Sequence, residues 1–442
     1  MTLRSGIPLA LAFTLAACTG SALRFQSVQD AGNPGGAGDV PTNPDDSPPA
    51  MGGISTVSGT GGVGGQGGLT ATGGSSVDPL VGGTGGVGGS LGAGGMTAVD
   101  LREVFVATGN MATPRMEYTA TLLRSGRVLM FGGLATPSSS HPGAELYDPS
   151  AGTFAATSNV VVGRYGHAAT LLSSGKVLIT GGCDVNNYAF ATGSTELYDP
   201  ATGKFATGAP MTTERAFHTV SWLPDGRLLI AGGANSKGNL ASAEVFDPVA
   251  GTFTPTGAMA QARQWHTATV LPSGKVFVAG GKGSGPDAFA TTELYDPAKG
   301  TFAAGPNMIA KRDSHTATLL PDGSVLITGG ENDDSGWPLA TAELYDPVAD
   351  TFTATGKMTS QRLGQTATLL PNGKVLITGG YGKGWLASAE LYDASAGTFT
   401  GTSDMTTTRE WHTATLLSNG SVLVAGGENG YVAPMSSAEI FE

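Results

Sequence analysis

The stretch HTATVLPSGKVFVAGG, residues His266 to Gly281, is one of seven similar copies in this 442-residue chain. The Gly-Gly pairs that end the copies lie 47 to 51 residues apart and begin at Gly132, Gly181, Gly232, Gly280, Gly329, Gly379 and Gly426. A period of this size, made of short strand-like segments, is typical of proteins in which each repeat forms one supersecondary unit. Residues 101–442 are therefore predicted to form one array of seven repeats.

Each repeat contains four short segments with strand character. In the fourth repeat we expect strands at Thr267–Leu271, Lys275–Ala279, Thr291–Tyr295 and Thr301–Ala304. Pro, Asp and Gly mark the turns between the first and second and between the third and fourth strands, because Pro presets φ and Gly allows positive φ. Seven repeats of four strands predict an all-β fold, a seven-bladed β-propeller of four-stranded antiparallel blades.

The seventh repeat lacks a fourth strand of its own after Ala438–Phe441. The segment 103–111 resembles the fourth strand of the fifth repeat and the residues after it, Thr351–Met358, and it precedes the first complete repeat. We expect residues 103–108 to close the ring as the outer strand of the seventh blade. Such pairing removes the open sheet edge that an incomplete blade would expose.

Residues that recur in every repeat are expected to hold the blades together. Arg263 and Glu293 have counterparts in all seven repeats, which predicts buried ion pairs, with an anion-binding ring of arginines as the alternative. His266 recurs in five repeats, and hydrogen-bonded structural histidines are favoured over a metal site because a seven-fold ring holds equivalent side chains apart. The predicted structural residues of the fourth repeat are Arg263, His266, Gly280, Gly281, Glu293, Tyr295 and Asp296.

The repeats resemble those of kelch-type propellers, because Gly-Gly is followed by Tyr295 and by Phe302, where kelch repeats carry Trp. The block His315–Gly330 also resembles the propeller repeats of galactose oxidase. That resemblance implies a copper site with tyrosines directly before the repeated His position, one of them crosslinked to a Cys. These positions hold no Tyr or Cys here, so we expect the architecture without the chemistry, and neither a metal nor a cofactor. The positions are Glu117, Gly166, Phe217, Trp265, Ser314, Gly364 and Trp411.

The first 18 residues have the pattern of an export signal. Arg4 precedes the apolar run Ile7–Leu15, and Leu15-Ala-Ala-Cys18 resembles the lipobox of bacterial lipoprotein precursors. The resemblance implies cleavage before Cys18, lipidation of Cys18 and a membrane anchor. Thr19 is similar to the residue found there in lipoproteins of the outer membrane or cell surface. An ordinary secretory signal is the alternative.

Residues 19–100 are rich in Gly, Ser, Thr and Pro, and they are predicted to be a disordered tether because they cannot bury enough apolar surface to fold. With Cys18 lipidated, no second cysteine is left to form a disulfide with Cys183, and we expect Cys183 to be a small packing residue. The net charge of −12 argues against a nucleic-acid partner. We expect a monomer.

The residues that differ between repeats are concentrated after the Gly-Gly pairs and at the start of each repeat, on what should be one face of the propeller. Aromatic side chains mixed with Asn, Asp and Glu suit the apolar C–H faces and hydroxyl rims of sugars. The alternative is that these aromatics pack against their own loops. The candidate ligand-binding residues are Trp265, Trp411, Tyr188, Trp337, Tyr381, Trp385, Tyr431, Asn187, Asn332, Asp333 and Glu428.

Three functions remain open from the sequence: glycan recognition, protein binding, and a carbohydrate-active or oxidase-type enzyme. No nucleophile and base at a recognisable spacing support the enzyme. The acidic run 331–334 offers oxygen ligands for Ca²⁺ but lacks the spacing of a dedicated Ca²⁺ loop. The sequence therefore favours a membrane-anchored, exported binding module whose loop face recognises a glycan or a protein.

Overall fold

The computed structural model of the protein describes residues 103–136, 139–140, 143–158, 160–184, 191–332, 337–430 and 434–442. Every regular element in these ranges is a β-strand. The predicted signal peptide, Cys18 and the tether lie outside the described residues. Within the described part, no helix is long and apolar enough to cross a membrane.

The strands of the first three complete blades follow the outer strand of the seventh and are three to five residues long, apart from short ladders in the loops. In chain order they are β1 (Phe105–Ala107), β2 (Thr119–Leu122), β3 (Val128–Phe131), β4 (Leu134–Thr136), β5 (Ser139–Ser140), β6 (Ala144–Asp148), β7 (Thr153–Ala156), β8 (Ala168–Leu171), β9 (Val177–Thr180), β10 (Thr195–Asp199), β11 (Lys204–Thr207), β12 (Thr219–Trp222), β13 (Leu228–Ala231), β14 (Ala234–Asn235), β15 (Gly238–Asn239), β16 (Ala243–Asp247) and β17 (Thr252–Pro255).

The remaining blades repeat the same strand lengths. Their strands are β18 (Thr267–Val270), β19 (Val276–Ala279), β20 (Thr292–Asp296), β21 (Thr301–Ala304), β22 (Thr316–Leu319), β23 (Val325–Thr328), β24 (Glu331–Asn332), β25 (Trp337–Pro338), β26 (Ala342–Asp346), β27 (Thr351–Ala354), β28 (Thr366–Leu369), β29 (Val375–Thr378), β30 (Ala389–Asp393), β31 (Thr398–Gly401), β32 (Thr413–Leu416), β33 (Val422–Ala425) and β34 (Ala438–Phe441).

The strands form seven four-stranded antiparallel sheets, which are the blades of a β-propeller. Six blades are built from strands that are consecutive apart from the loop ladders, as in β18-β19-β20-β21 of blade 4. The innermost strands contact one another around a closed ring in the order β2, β8, β12, β18, β22, β28, β32 and back to β2. The fold class predicted from the repeats is confirmed for the described residues.

The seventh blade joins the two ends of the array. Strand β1 pairs antiparallel with β34, with Phe105 opposite Phe441, and the sheet order is β1-β34-β33-β32. The rings of Phe105 and Phe441 lie 5.0 Å apart between centroids. Phe105–Ala107 make the ladder pairs, and the amides of Val104 and Thr108 continue the pairing by donating to the carbonyls of Glu442 and Ala438, each at 3.2 Å.

The core lies between blades rather than inside any one of them. All four residues of β19 are buried, in agreement with an apolar run that does not alternate. Leu229 and Val245 of blade 3 pack against Val270 and Val278 of blade 4 in one cluster. Because each blade buries its apolar faces only against its neighbours, a closed ring is needed to cover them all.

The Gly-Gly pair allows the next blade to approach. Gly280 and Gly281 have φ values of 61° and 88°, in the left-handed region that L side chains rarely adopt. A Cβ atom on Gly280 would lie 2.8 Å from Cε1 of His315 and would also overlap the carbonyl oxygen of Arg312, both in blade 5. The repeated glycine therefore provides the space into which the following blade inserts its His.

The repeated Arg and Glu form buried ion pairs within each blade. In blade 4, Arg263 donates to Glu293 at 3.0 Å and to the carbonyl of Gly280 at 2.7 Å, while Glu293 accepts from the Ala260 amide at 2.8 Å. The pair thus ties the entering chain to the second and third strands. The seven pairs are Arg115–Glu145, Arg164–Glu196, Arg215–Glu244, Arg263–Glu293, Arg312–Glu343, Arg362–Glu390 and Arg409–Glu439.

The repeated His links each blade to the one before it. His266 Nε2 lies 3.0 Å from the hydroxyl of Thr219 in blade 3, and burial lowers the pKa of His266 to about 3, so the ring is neutral. Where the repeat lacks His, Tyr118 bonds the carbonyl of Ala425 at 2.6 Å and Gln365 donates to the carbonyl of Thr328 at 2.9 Å. The position therefore links each blade to the one before it, whether His, Tyr or Gln occupies it.

Candidate functional site

The loop face is the end of the propeller where second strands connect to third strands and one blade connects to the next. Just beyond the first two strands of each blade, the residue after the repeated Arg forms a bridge with the residue after Gly-Gly. The chemistry of this pair changes from blade to blade. The pairs are Met116–Leu134, Tyr165–Cys183, Ala216–Ala234, Gln264–Lys282, Asp313–Glu331, Leu363–Tyr381 and Glu410–Glu428.

One residue per blade, here called the rim residue, lies between this bridge and the first strand and has a left-handed backbone. The rim residues with side chains have φ from 51° to 56°. Such a backbone costs an ordinary L residue about 1–2 kcal/mol, which glycine avoids. Five of the seven positions nevertheless carry a side chain. The rim residues are Glu117, Gly166, Phe217, Trp265, Ser314, Gly364 and Trp411.

One side of the rim is apolar and closed. Tyr165, Cys183 and Phe217 are buried in one cluster, against which Trp265 packs. The ring of Phe217 lies 6.2 Å from that of Tyr165 and 5.8 Å from that of Trp265, both edge-on. Trp265 is therefore held largely by packing, which was the alternative considered for the loop-face aromatics.

The opposite side of the rim contains a pair of glutamates. The Glu410 amide donates to the Glu428 carbonyl at 3.0 Å, and the reverse bond measures 2.9 Å. Residues opposite one another in such a bridge have Cβ atoms about 5 Å apart, so the two carboxyl groups are neighbours. Glu410 is only 8% exposed, and its Oε1 accepts a hydrogen bond from the Trp385 indole N–H at 2.8 Å.

Aromatic rings lie beside Glu410. The rings of Tyr381 and Trp385 lie 5.4 Å apart at an interplanar angle of 68°. A Cβ atom on Gly364 would lie 3.2 Å from Cε2 of Trp411 and 3.5 Å from Oε2 of Glu410. The missing side chain of Gly364 therefore lets the indole of Trp411 lie next to the Glu410 carboxyl. We call Tyr381, Trp385, Glu410, Trp411 and Glu428 the acidic-aromatic site.

The two carboxyl groups titrate far from their ordinary range. Burial raises the pKa of Glu410 to about 8, and the nearby charge of Glu428 adds to this, while the Trp385 hydrogen bond opposes it. Burial also raises the pKa of Glu428 to about 7. Near neutral pH the site therefore holds carboxyl groups that exchange protons easily.

The structure places the predicted site residues in three groups. Trp411, Tyr381, Trp385 and Glu428 come together in the acidic-aromatic site, whereas Trp265 lies across the rim. Asn332 and Trp337 pair in the β24–β25 ladder of blade 5, where Trp337 is 53% exposed. The other predicted site residues lie outside the described residues, namely Tyr188, Asn187, Asp333 and Tyr431.

Sequence reasoning missed Glu410 and Gly364. Both lie between a repeated Arg and a repeated His or its substitute, in a stretch that was treated as part of the constant frame. The signal was present, because the residue after Arg is Met116, Ala216 or Gln264 in other blades and only the seventh blade has Glu there. A position that differs between repeats while its neighbours stay constant indicates a functional residue as strongly as a variable loop does.

No family model matches the chain, and no curated protein matches its sequence. Solved structures do resemble it. One is described as a novel fungal alcohol oxidase with catalytic diversity among the AA5 family, in complex with copper. It is 18% identical, the match covers 77% of this chain and 75% of that chain, and the TM-score is 0.60. The likeness shows the propeller fold.

The described residues do not fit a copper ion. No group of three His, Cys, Asp or Glu side chains in this part of the chain is placed to hold a metal. The repeated histidines are each used at a different blade interface, as His167 is with Thr119 at 2.9 Å. The resemblance to the copper enzyme therefore extends to the architecture alone.

Proposed function

We propose that the protein is a carbohydrate-binding module whose ligand occupies the acidic-aromatic site on the loop face. The observation that carries this proposal is Trp411, a rim residue at φ 52°. Glycine occupies the same rim position in blades 2 and 6, so the fold does not need an indole there. A large aromatic side chain kept in a strained conformation beside a buried carboxyl group is typical of a binding site.

The chemistry of the neighbours supports a sugar. Trp411, Trp385 and Tyr381 offer flat apolar faces for the C–H surface of a pyranose ring. The carboxyl groups of Glu410 and Glu428 lie at the edge of these faces and accept hydrogen bonds from hydroxyl groups. In a surface of this kind the aromatic rings stack on the sugar ring, and the carboxyl groups fix its orientation.

The direction of the chain supports display on a surface. Strand β1 begins at the turn face, opposite the loop face, and the Val104 amide donates to the carbonyl of Glu442 at 3.2 Å there. The first described residues therefore lie at the turn face, away from the loop face. Together with the lipobox pattern at Cys18, this supports an exported, lipid-anchored protein at the outer membrane or cell surface, with a propeller of kelch type.

A carbohydrate-active enzyme is the second candidate, and one observation favours it. A carboxyl group such as Glu410, whose pKa is raised to about 8, is protonated at neutral pH and can act as a general acid beside a second carboxyl group. Release of reducing ends from a glycan that binds would support this candidate. Binding of a glycan that stays intact would contradict the enzyme and support the carbohydrate-binding module.

The test is binding of the full chain to a glycan array, with Trp411→Gly beside wild type. Glycine fits the backbone at this position, so the variant is expected to fold, and loss of the indole is expected to weaken binding at least about tenfold, or roughly 1.4 kcal/mol. Trp265→Gly is the matched control, because it alters the same rim position with φ 51° on the other side of the rim.

The control is expected to keep its affinity within about twofold and to lose thermal stability, because Trp265 packs against Phe217. Absence of any glycan ligand for folded wild type would refute carbohydrate binding and favour a protein partner. Equal losses in both variants would show that the ligand spans the rim instead of occupying the acidic-aromatic site.

A further inference from the structure

In each of the seven blades, a buried glutamate forms an ion pair with the repeated arginine. Glu293, for example, is 3% exposed and receives Arg263 together with a backbone amide. Glu410 is also almost fully buried, yet among the described residues its carboxyl group is bonded by the neutral indole of Trp385 and by no other side chain. Within the described residues, neither Glu410 nor Glu428 forms an ion pair.

The arginine next to Glu410 in the chain already has its own partners. Arg409 precedes Glu410 in the sequence, but it donates to Glu439 at 2.8 Å and to the carbonyl of Gly426 at 2.8 Å. Its geometry matches that of the other six blade arginines, so it belongs to the frame. In the part of the chain that the structure describes, the acidic-aromatic site therefore brings two acids together that have no ion-pair partner.

Two buried acids side by side are unfavourable unless something compensates for them. Removing a carboxylate from water costs several kcal/mol, and a second carboxylate beside it adds repulsion. A cation placed between Glu410 and Glu428 removes both penalties at once. The site is electrostatically complementary to a positively charged group.

The aromatic side chains of the site indicate which kind of cation it can bind. An indole ring does not ligate a metal ion, so the indoles of Trp385 and Trp411 would contribute nothing to a metal site here. An ammonium group on a carbon skeleton uses both features, because the rings attract the cation through their π faces and pack against the attached carbons. Trp385, Trp411 and Tyr381 supply these faces beside the two acids.

We propose that the acidic-aromatic site recognises an amino sugar with a free, protonated amine, held between Glu410 and Glu428 with its ring against Trp411. This inference rests on the proposed carbohydrate function and names its ligand class. N-acetylation removes the charge of the amine and keeps the sugar ring, so it separates recognition of the amine from recognition of the sugar. The acetylated sugar lacks the group that the two acids complement.

The test compares binding of a β-1,4-linked glucosamine hexamer with that of the same hexamer fully N-acetylated, using the full chain and calorimetry near neutral pH. Wild type is expected to prefer the free amine at least about tenfold, which corresponds to roughly 1.4 kcal/mol. Glu410→Gln and Glu428→Gln are each expected to remove that preference. Glu331→Gln is the matched control, since Glu331 occupies the position of Glu428 in blade 5.

Binding should also release protons. The titratable and charged groups around Glu410 are Glu428 across the bridge and Arg409 beside it, which Glu439 occupies. A cation between the acids lowers their pKa values from about 8 and about 7, so both carboxyl groups lose protons at pH 7, and the amine takes up part of these because it binds in its protonated form. Calorimetry in buffers of different ionisation enthalpy measures this, and Glu410→Gln should release less.

The outcomes separate the two proposals. Equal affinity for both hexamers in wild type would overturn the amine inference and leave carbohydrate binding in place. Binding of a lysine-rich peptide without either hexamer would overturn both. Glu410→Gln is expected to be at least as stable as wild type at pH 8, because Gln still accepts from Trp385 and has no charge to bury, so loss of binding cannot be attributed to unfolding.

Discussion

At the scale of the residue, Arg263 illustrates how much one repeated side chain contributes to the stability of its blade. Arg263→Met should destabilise the protein by about 3–5 kcal/mol, because Glu293 would keep a buried charge without its partner. Arg227→Met is the matched control, since Arg227 and Asp225 form an ion pair at 2.6 Å that is 40% and 45% exposed. Exposed pairs contribute at most about 1 kcal/mol. Denaturant unfolding measures both, and similar losses would contradict a structural role for Arg263.

The same repetition explains which residues could be found from the sequence. Arg263, Glu293 and His266 are recognisable because each performs one mechanical task in blade after blade. The acidic-aromatic site consists of residues that differ from their counterparts in the other repeats. Their role depends on which side chains lie next to them in space, and the spacing of the repeats does not predict that. Glu428 was identified by its chemistry, whereas Glu410 matters because a bridge places it opposite Glu428.

At the scale of the element, β1 decides whether the ring is closed. Phe105→Ala should lower stability by somewhat less than the about 3–5 kcal/mol of a fully buried Phe, because the ring is only partly buried against Phe441. Val106→Ala is the matched control in the same strand, since Val106 is 46% exposed. Thermal unfolding of the two variants compares them. Equal effects would show that β1 adds little to the seventh blade.

Strand positions within the blades follow closely from the sequence, whereas the loop ladders do not. In blade 4 the predicted strands agree with the observed β18 to β21 within one residue at each end. The pairs β4–β5, β14–β15 and β24–β25 were not predicted. They are two or three residues long and lack alternation, so only the continuation of the blade beyond Gly-Gly brings their backbones into pairing distance.

At the scale of the whole molecule, the five repeated histidines make the ring sensitive to acid. Burial lowers their pKa values, to about 3 for His167 and His266 and well below the ordinary value for the others. The unfolded chain binds protons near pH 6.5, and the folded ring does not. Stability is therefore full above pH 6.5 and falls as pH decreases, by about 1.4 kcal/mol per pH unit for each histidine.

The acidic-aromatic site acts in the opposite direction. The folded pKa values of Glu410 and Glu428 are raised to about 8 and about 7, so each group weakens the fold as pH rises from its ordinary pKa to its folded pKa and adds nothing further above that. Below about pH 6.5 the five histidines outweigh the two carboxyl groups, and above it only the carboxyl groups act, so stability should be greatest near pH 6.5. Unfolding free energies measured from pH 4 to 9 would show a maximum there, and a continuous rise towards pH 9 would contradict the buried carboxyl pair.

His266→Gln isolates one histidine in the acid window, because the chain already uses Gln365 at the same position of blade 6. Gln can donate to the neighbouring blade as Gln365 does to Thr328 at 2.9 Å. The variant should fold, and between pH 6 and 4 its stability should fall less steeply than that of wild type, by about 1.4 kcal/mol per pH unit. An unchanged slope would mean that His266 is protonated in the folded ring, and the neutral blade-to-blade link would then be wrong.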